Sequence, residues 1–169
     1  MKTLFLLRHA KSSWVDDNLS DFDRPLNKQG LEIIPRVGEN IFDGKFQIDQ
    51  ILSSPAKRAK QTAILVREAA QLKADIKYDE RIYEASPHRL LDVVSGTEEA
   101  NTSVLLVGHN PGLEGFIKIL TGEIQSMQTG TLAVIDLKIE QWSELGIGSG
   151  FVRKMINPKS EIEALKETR

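Results

Sequence analysis

Short apolar runs alternate with longer segments of helical periodicity along the chain. Residues 4–7 are a run of bulky apolar side chains, too short for a buried helix and suited to a central strand covered on both faces. Residues 103–107 predict a second strong buried strand. Further strands are predicted over 48–52, 76–78, 131–137 and 151–156, the last two pairing antiparallel through a glycine-rich turn at 146–150.

Helical patterns fill most of the intervening segments. Asn27 is expected to cap the first helix, in which Pro35 predicts a kink or a weakened first turn. Ser54 is expected to cap the second helix with Pro55 as its first residue, and Asn110 to cap the last. The helices are predicted over 28–43, 55–72, 87–94 and 111–122.

This alternation predicts one α/β domain over residues 1–157, built on a mostly parallel sheet. No repeat or break in composition marks a second domain, and residues 158–169 form a charged C-terminal tail. The polar, turn-rich segment 12–26 that follows the first strand is unusually long, and long loops of this kind are usually functional or disordered.

The composition is that of an ordinary globular protein, with 40% hydrophobic and 27% charged residues. A formal net charge of −2 argues against nucleic-acid binding by bulk electrostatics. The absence of cysteine excludes disulfides, thiolate catalysis and zinc-finger chemistry. The first apolar run stops at Arg8, too early for a secretory signal or a membrane span, so a cytoplasmic location is expected.

Polar residues with catalytic potential stand at three strand-to-helix junctions. Arg8 and His9 end the first strand, Arg58 lies in the first turn of the second helix, and His109 follows the strand 103–107. If these strands are parallel neighbours, the junctions open on the edge of the sheet where α/β proteins bind ligands. Histidines, arginines and helix N-termini would converge there, which predicts a pocket for a phosphoryl group or a similar dianion.

Each of these residues also has an ordinary structural explanation. Arg58 alone could be a solvated helix residue, His109 a structural histidine, and Ser54 no more than a helix cap. The Arg8-His9 pair alone is more often a polar strand end than a catalytic dipeptide. The combination favours a functional site because the two strongest buried strands both end in histidine.

Several motifs resemble the histidine phosphatase (phosphoglycerate mutase-like) superfamily. They are Leu-Arg-His-Ala-Lys at 7–11, Leu-Ser-Ser-Pro-Ala-Lys-Arg-Ala-Lys-Gln-Thr at 52–62 and Val-Gly-His-Asn-Pro-Gly at 107–112, with Asp-Arg-Pro-Leu at 23–26 and Tyr-Glu-Ala at 83–85. The resemblance spans residues 3–156, and alanine at position 10 is typical of the SixA-like phosphohistidine phosphatase branch. It implies a three-layer αβα sandwich.

The resemblance implies a role for each matching residue. His9 would attack phosphorus and form a phosphohistidine intermediate, which water then hydrolyses. Arg8, Arg58 and a cationic His109 would bind the phosphoryl oxygens and stabilise the transition state without a metal or a cofactor. Glu84 matches the segment that supplies a general acid in ester-cleaving members, although a solvated or capping glutamate is an equal alternative.

Other residues border the predicted pocket. Arg24 and Lys11 are expected to add to phosphate binding. Trp14 is expected to line the entrance, although simple packing of the loop explains it equally well. His88, the third histidine, is expected at the surface or beside the site, without a part in catalysis.

The expected function is metal-independent removal of phosphate from phosphohistidine in a protein, such as a histidine-containing phosphotransfer domain. One alternative is a small-molecule phosphomonoesterase acting on a sugar or metabolite phosphate, although 169 residues leave little room for the insertions that usually cover such substrates. A non-catalytic phosphate-binding module is a third possibility, against which the intact His9 argues. The expected partners are a phosphorylated protein or a small phosphorylated metabolite, with neither nucleic acid nor membrane.

Overall fold

The computed structural model describes residues 1–159, in which six strands alternate with four helices. The strands are β1 (Lys2–Arg8), β2 (Gln50–Ser53), β3 (Ile76–Tyr78), β4 (Ser103–Gly108), β5 (Leu132–Leu137) and β6 (Gly150–Ile156). The helices are α1 (Lys28–Asp43), α2 (Lys57–Ala69), α3 (Pro87–Ser95) and α4 (Gly112–Thr121).

All six strands form one sheet in the order β3-β2-β4-β1-β5-β6. The first four strands of that order pair in parallel, while β5 pairs antiparallel with both β1 and β6. The predictions of an α/β fold, a mostly parallel sheet and an antiparallel final pair are confirmed.

Helices cover both faces of the sheet. Leu4 and Leu6 of β1 pack into a cluster with α3, α4 and the fully buried Trp142, whereas Phe5 and Leu7 pack against α1 and α2 on the other face. Because consecutive strand residues point to opposite faces, a strand covered on both sides needs an unbroken apolar run. The unbroken apolar run at residues 4–7 is therefore explained by the three-layer αβα sandwich, in which helices cover both faces of β1.

Helix α2 begins later than its sequence pattern predicts. Its first residue is Lys57, with Ala56 at the cap position, so Ser54 and Pro55 lie outside the helix. The Ser54 hydroxyl accepts the N–H of Ala56 at 3.2 Å and lies 2.8 Å from Nε2 of His109. The predicted cap is wrong because this hydroxyl is used in the turn at the sheet edge.

The predicted cap of α4 is also wrong, whereas that of α1 is confirmed. The Asn110 side-chain amide donates to the carbonyl oxygen of Met127 at 2.8 Å, and α4 has no side-chain cap. Asn27 accepts a backbone N–H in the first turn of α1 at 2.8 Å, and that helix runs as one element through Pro35. A capping residue type therefore marks a helix start only where no tertiary partner competes for its side chain.

Residues 160–169, which make up most of the predicted C-terminal tail, lie outside the described residues. Within residues 1–159, no helix has the length and apolar character required to cross a bilayer.

The start of α1 packs closely against the backbone that follows His9. The N–H of Asn27 donates to the carbonyl oxygen of Lys11 at 2.9 Å. A β-carbon added to Gly30 would lie 2.4 Å from the same oxygen, well inside contact distance. Glycine at position 30 therefore allows α1 to approach the segment that carries the site.

We expect Gly30→Ala to lower the free energy of unfolding by about 1–3 kcal/mol. The expected sign is informative because alanine is ordinarily better than glycine inside a helix, by about 1 kcal/mol. Urea unfolding followed by circular dichroism measures the change. Gly96→Ala is the matched control because its nearest heavy atom is 3.6 Å from the added carbon. Equal losses in both variants would contradict the proposed clash.

Candidate active site

Two histidines lie side by side at the carboxyl edge of the central strands. Arg8 of β1 pairs with Gly108 of β4, so the next residue of each chain segment, His9 or His109, leaves the sheet at the same level. The ring centroids are 5.1 Å apart and their planes are tilted by 53°. Parallel register thus places two imidazoles within reach of one small ligand.

Arg58 joins the two histidines from the first turn of α2. Its Nε lies 3.4 Å from Nε2 of His9, and its Nη2 lies 3.5 Å from Nδ1 of His109. The guanidinium is buried, so its positive charge is poorly screened by solvent. The structure thus brings together three of the predicted site residues in one cluster that suits an oxyanion.

The backbone defines the tautomer of His9. Nδ1 lies 2.7 Å from the carbonyl oxygen of Ala10, which can only accept, so Nδ1 carries the proton. The Ala10 N–H donates to Oγ1 of Thr62 at 3.1 Å, and Thr62 donates to the carbonyl oxygen of Arg58 at 2.7 Å. Nε2 is therefore the unprotonated nitrogen, whose lone pair accepts from the Nε–H of Arg58 at 3.4 Å, and the peptide that orients the ring is itself held by α2.

His9 is a neutral imidazole at physiological pH. Burial lowers the pKa of His9 to about 4; the hydrogen bond to Ala10 opposes this effect, and the charges of Arg58 and Arg8 add to it. A nucleophilic nitrogen has to be unprotonated, so this environment keeps His9 in the reactive form.

His109 is neutral as well in the free protein. Its Nδ1 faces a guanidinium nitrogen, which can only donate, so the proton lies on Nε2 and is donated to Oγ of Ser54 at 2.8 Å. Burial, together with His9 and Arg58, lowers the pKa of His109 to about 3. The cationic form implied by the resemblance therefore requires a bound dianion, whose charge would raise this pKa.

Arg8 completes the set at the end of β1. Its Nη1 donates to the carbonyl oxygen of Met127 at 3.0 Å, while Nε is buried without a partner among the described residues. Burial lowers the pKa of Arg8, and the carboxylate of Glu114 opposes that shift. Arg8 therefore has a buried donor whose hydrogen bond is not made within residues 1–159, which is costly for a polar group.

Asp21 and Tyr83 belong to the cluster although the sequence did not point to either as a site residue. Asp21 opens a short 3₁₀ turn (Asp21–Asp23) in loop 12–26, and its carboxylate accepts from Arg58 at 3.0 Å, Arg24 at 2.9 Å and the Tyr83 hydroxyl at 2.5 Å. Burial opposes ionisation, but these hydrogen bonds hold the pKa of Asp21 far below its usual range. The only signal was an acidic turn before Arg24, which is commonplace in a polar loop.

Other predicted site residues lie at the margin of the cluster. Arg24 is buried, and all three of its side-chain nitrogens donate to atoms of loop 12–26. Lys11 is exposed and lines a neighbouring cavity that Arg8 also borders. Glu84 is exposed, has a φ of 54°, and forms no hydrogen bond or ion pair within residues 1–159. Direct roles for these three remain predictions.

Loop 12–26 also carries exposed apolar side chains near Arg24. Trp14 is 73% exposed, with its ring 3.5 Å from the Arg24 guanidinium, and Val15 beside it is 93% exposed. His88 is exposed in α3. Among residues 1–159, no group of three or more histidines, aspartates or glutamates is arranged to hold a metal ion.

Histidines and arginines thus lie at the carboxyl edge of the parallel strands of a sheet covered on both faces, which is where open α/β proteins bind their ligands. The family model of the histidine phosphatase superfamily (branch 1) matches residues 4–90. The chain belongs to this superfamily.

Solved structures and curated relatives agree with this assignment. A protein of Agrobacterium tumefaciens assigned as a phosphohistidine phosphatase SixA is 30% identical, with a TM-score of 0.80 over 93% of this chain and 98% of that one. The protein histidine phosphatase SixA in complex with tungstate shares the fold, with a TM-score of 0.82, 23% identity and coverage of 94% and 99%. PhoE, a phosphatase of Bacillus subtilis, is 28% identical over 84% of this chain and 92% of its own. The family and these neighbours support phosphatase activity.

The neutral histidines predict a specific response to acid. The folded protein resists protonation of His9 down to about pH 4, whereas the unfolded chain binds a proton near the usual pKa of 6.5. The free energy of unfolding should therefore fall as the pH is lowered through this window, by on the order of 3 kcal/mol for His9. Urea unfolding at several pH values measures the slope.

The matched variants are His9→Asn and His88→Asn. His9→Asn should reduce the pH dependence between pH 6.5 and 4, whereas His88→Asn should leave it unchanged because His88 is exposed. The same slope in wild type and His9→Asn would contradict the assignment of His9 as a buried neutral imidazole.

Proposed function

We propose that this protein removes phosphate from phosphohistidine in other proteins, by way of a covalent phosphohistidine on its own His9. One observation carries the proposal. Nδ1 of His9 is protonated against the Ala10 carbonyl oxygen at 2.7 Å, which directs the lone pair of Nε2 toward the guanidinium of Arg58. A site that only held phosphate would have no need of a nucleophile oriented in this way.

In the first step, Nε2 of His9 attacks phosphorus and the bond from phosphorus to the substrate nitrogen breaks. The electron pair of that bond stays on the departing imidazole. When the other nitrogen of the substrate ring is protonated, the imidazole leaves as a neutral molecule, so no proton is needed at the breaking bond. Arg58 and Arg8 stabilise the charge on the phosphoryl oxygens, and the Ala10 carbonyl oxygen stabilises the positive charge that develops on the His9 ring.

In the second step, water attacks the phosphorus of phosphorylated His9. The bond from phosphorus to Nε2 breaks and its electrons return to the ring, while both protons of the water stay on the product, so that phosphate forms as dihydrogen phosphate and loses a proton to solvent after release. His9 is regenerated as the neutral Nδ1–H tautomer that the Ala10 carbonyl oxygen favours. His109 is a cation while the dianion is bound and becomes neutral again when phosphate is released, because burial holds the pKa of His109 at about 3 in the free protein.

The exposed apolar side chains of loop 12–26 support a substrate carried on a protein surface. Trp14 and Val15 of this loop project into solvent, where they could contact a protein that carries the phosphorylated side chain. The Agrobacterium tumefaciens neighbour, assigned as a phosphohistidine phosphatase, supports the same substrate class. The tungstate complex of SixA supports a tetrahedral oxyanion as the group that is bound.

The decisive test is to trap the phosphoenzyme. Incubation with a 32P-labelled phosphohistidine protein and rapid acid-free denaturation should give a label that is stable to alkali and labile to acid, located on His9 by peptide mapping. His9→Ala should give no label and lower kcat/KM at least about a thousandfold, because no other described group replaces the nucleophile. His88→Ala is the control and should retain wild-type turnover.

A small-molecule phosphomonoesterase is the second candidate, favoured by one observation. A cavity of about 610 Å³ adjoins the site, bordered by Arg8, Lys11 and Gln128 among others. It could receive the remainder of a small phosphate ester. Rates on a phosphohistidine protein, free phosphohistidine, a phosphoserine peptide and several sugar phosphates distinguish the candidates, and a large preference for a sugar phosphate would overturn the proposed substrate class.

Glu84→Gln separates the two reactions further. An alkoxide leaves phosphorus poorly without a proton, whereas a protonated imidazole leaves readily. We expect the variant to retain phosphohistidine hydrolysis within about twofold and to lose about tenfold or more of any alkyl phosphate hydrolysis. Equal losses on both substrates, measured as kcat/KM, would exclude Glu84 as an acid specific to ester cleavage.

A further inference from the structure

We propose that Asp21 is the positioning residue of Arg58, holding the guanidinium with its Nε edge toward His9. This inference concerns the phosphoryl-transfer site and rests on the proposed function. Asp21 belongs to loop 12–26, so the proposal also gives that loop a task in catalysis.

The Arg58 guanidinium donates hydrogen bonds to Asp21 from both of its terminal nitrogens. Nη1 donates to the backbone carbonyl oxygen of Asp21 at 2.6 Å, and Nη2 donates to the Oδ2 carboxylate oxygen at 3.0 Å. A guanidinium is planar and rigid, so two contacts on its outer end determine the direction of its remaining edge. That edge carries Nε, which lies 3.4 Å from Nε2 of His9.

Asp21 is itself held from two sides. The Tyr83 hydroxyl, from the segment before α3, donates to Oδ2 at 2.5 Å. Arg24 donates to Oδ1 through Nε at 3.2 Å and Nη2 at 2.9 Å, and anchors the loop through Oγ of Ser12 at 2.7 Å. The carboxylate therefore has a defined position before any substrate arrives, and it transfers that position to Arg58.

Asp21 also balances the charge of the buried guanidinium. Within residues 1–159, Arg58 forms its ion pair with the carboxylate of Asp21. The two histidines beside Arg58 cannot supply a negative charge, because an imidazole is either neutral or cationic. A phosphoryl dianion that enters the site has to share Arg58 with Asp21, which occupies the outer end of the fork, and the Nε–H that is donated to Nε2 of His9 in the free protein becomes available to the dianion when Nε2 bonds to phosphorus.

These two effects of Asp21 on a phosphoryl substrate have opposite signs. The negative charge of Asp21 opposes the binding of an anion. The hydrogen bonds from Arg58 to Asp21, in contrast, orient the guanidinium so that its N–H groups can stabilise the transition state. Removing the charge should therefore leave the affinity for phosphate nearly unchanged and reduce the rate of the chemical step. A residue that merely kept the loop folded would not produce that separation.

The test is Asp21→Asn, assayed on a chromogenic aryl phosphate. We expect kcat to fall about tenfold or more, with KM and the dissociation constant of inorganic phosphate changed less than about threefold. The matched control is Asp23→Asn in the same turn, since within residues 1–159 the Asp23 carboxylate accepts only from the nearby Ser20 hydroxyl, at 2.8 Å. The control should keep wild-type kcat and Tm.

A second measurement reports on Arg58 directly. The 1H–15N signal of the Arg58 Nε–H group, assigned by its loss in Arg58→Lys, should shift and broaden in Asp21→Asn and stay unchanged in Asp23→Asn. Tyr83→Phe removes one tether of Asp21 and should shift the same signal in the same direction by a smaller amount. It replaces Asp21→Asn if that variant does not fold.

Any of three kinetic or stability results would overturn the proposal: a kcat for Asp21→Asn within twofold of wild type, an equal loss in Asp23→Asn, or a parallel loss of kcat, phosphate affinity and Tm. An unchanged Arg58 signal in Asp21→Asn would do the same. Failure of the proposed function has a different signature, namely a wild-type protein that hydrolyses none of the phosphorylated substrates. In that case the Arg58 signal alone decides the positioning role.

Discussion

Parallel pairing of β1 with β4 is the constraint on which the site depends. With Arg8 opposite Gly108, the residues that follow both strands emerge at one level, and their imidazole centroids are 5.1 Å apart. A slip of one residue in this register would turn one of the two side chains toward the other face of the sheet. Both strands are buried on both faces, so the core opposes such a slip strongly, and the stability of the sandwich and the geometry of the site have the same origin.

The charges around these two histidines balance one another in the free protein. The guanidinium of Arg58 is buried beside two histidines whose pKa values lie at about 4 and about 3, so neither imidazole adds a second positive charge in the free protein. In the proposed function, neutral His9 is the nucleophile, and His109 becomes a cation only when a dianion is bound. The carboxylate of Asp21 balances Arg58 from the loop side. In this proposal, the negative charge of the bound substrate favours protonation of His109, which adds a positive charge beside the phosphoryl group.

Much of this arrangement could be predicted from the sequence, and the failures share one cause. The apolar runs of β1 and β4 identified central strands, and polar residues at the strand ends indicated the sheet edge at which a ligand is expected. The helix caps assigned to Ser54 and Asn110 were wrong because those side chains bond His109 and Met127, partners distant in sequence. Asp21 went unnoticed for the same reason, since its partners Arg58 and Tyr83 are 37 and 62 residues away.

The sequence by itself determined the class of fold, the order of its elements and the pairing of histidine with arginine at the strand ends, because hydrophobic periodicity and local residue types are properties of neighbouring residues. Only the tertiary structure decided which nitrogen of His9 carries the lone pair, which side chain forms a hydrogen bond with His109 and which carboxylate binds Arg58. Those outcomes depend on hydrogen bonds between segments that meet only after the sheet has formed, and no local pattern encodes the distance between them.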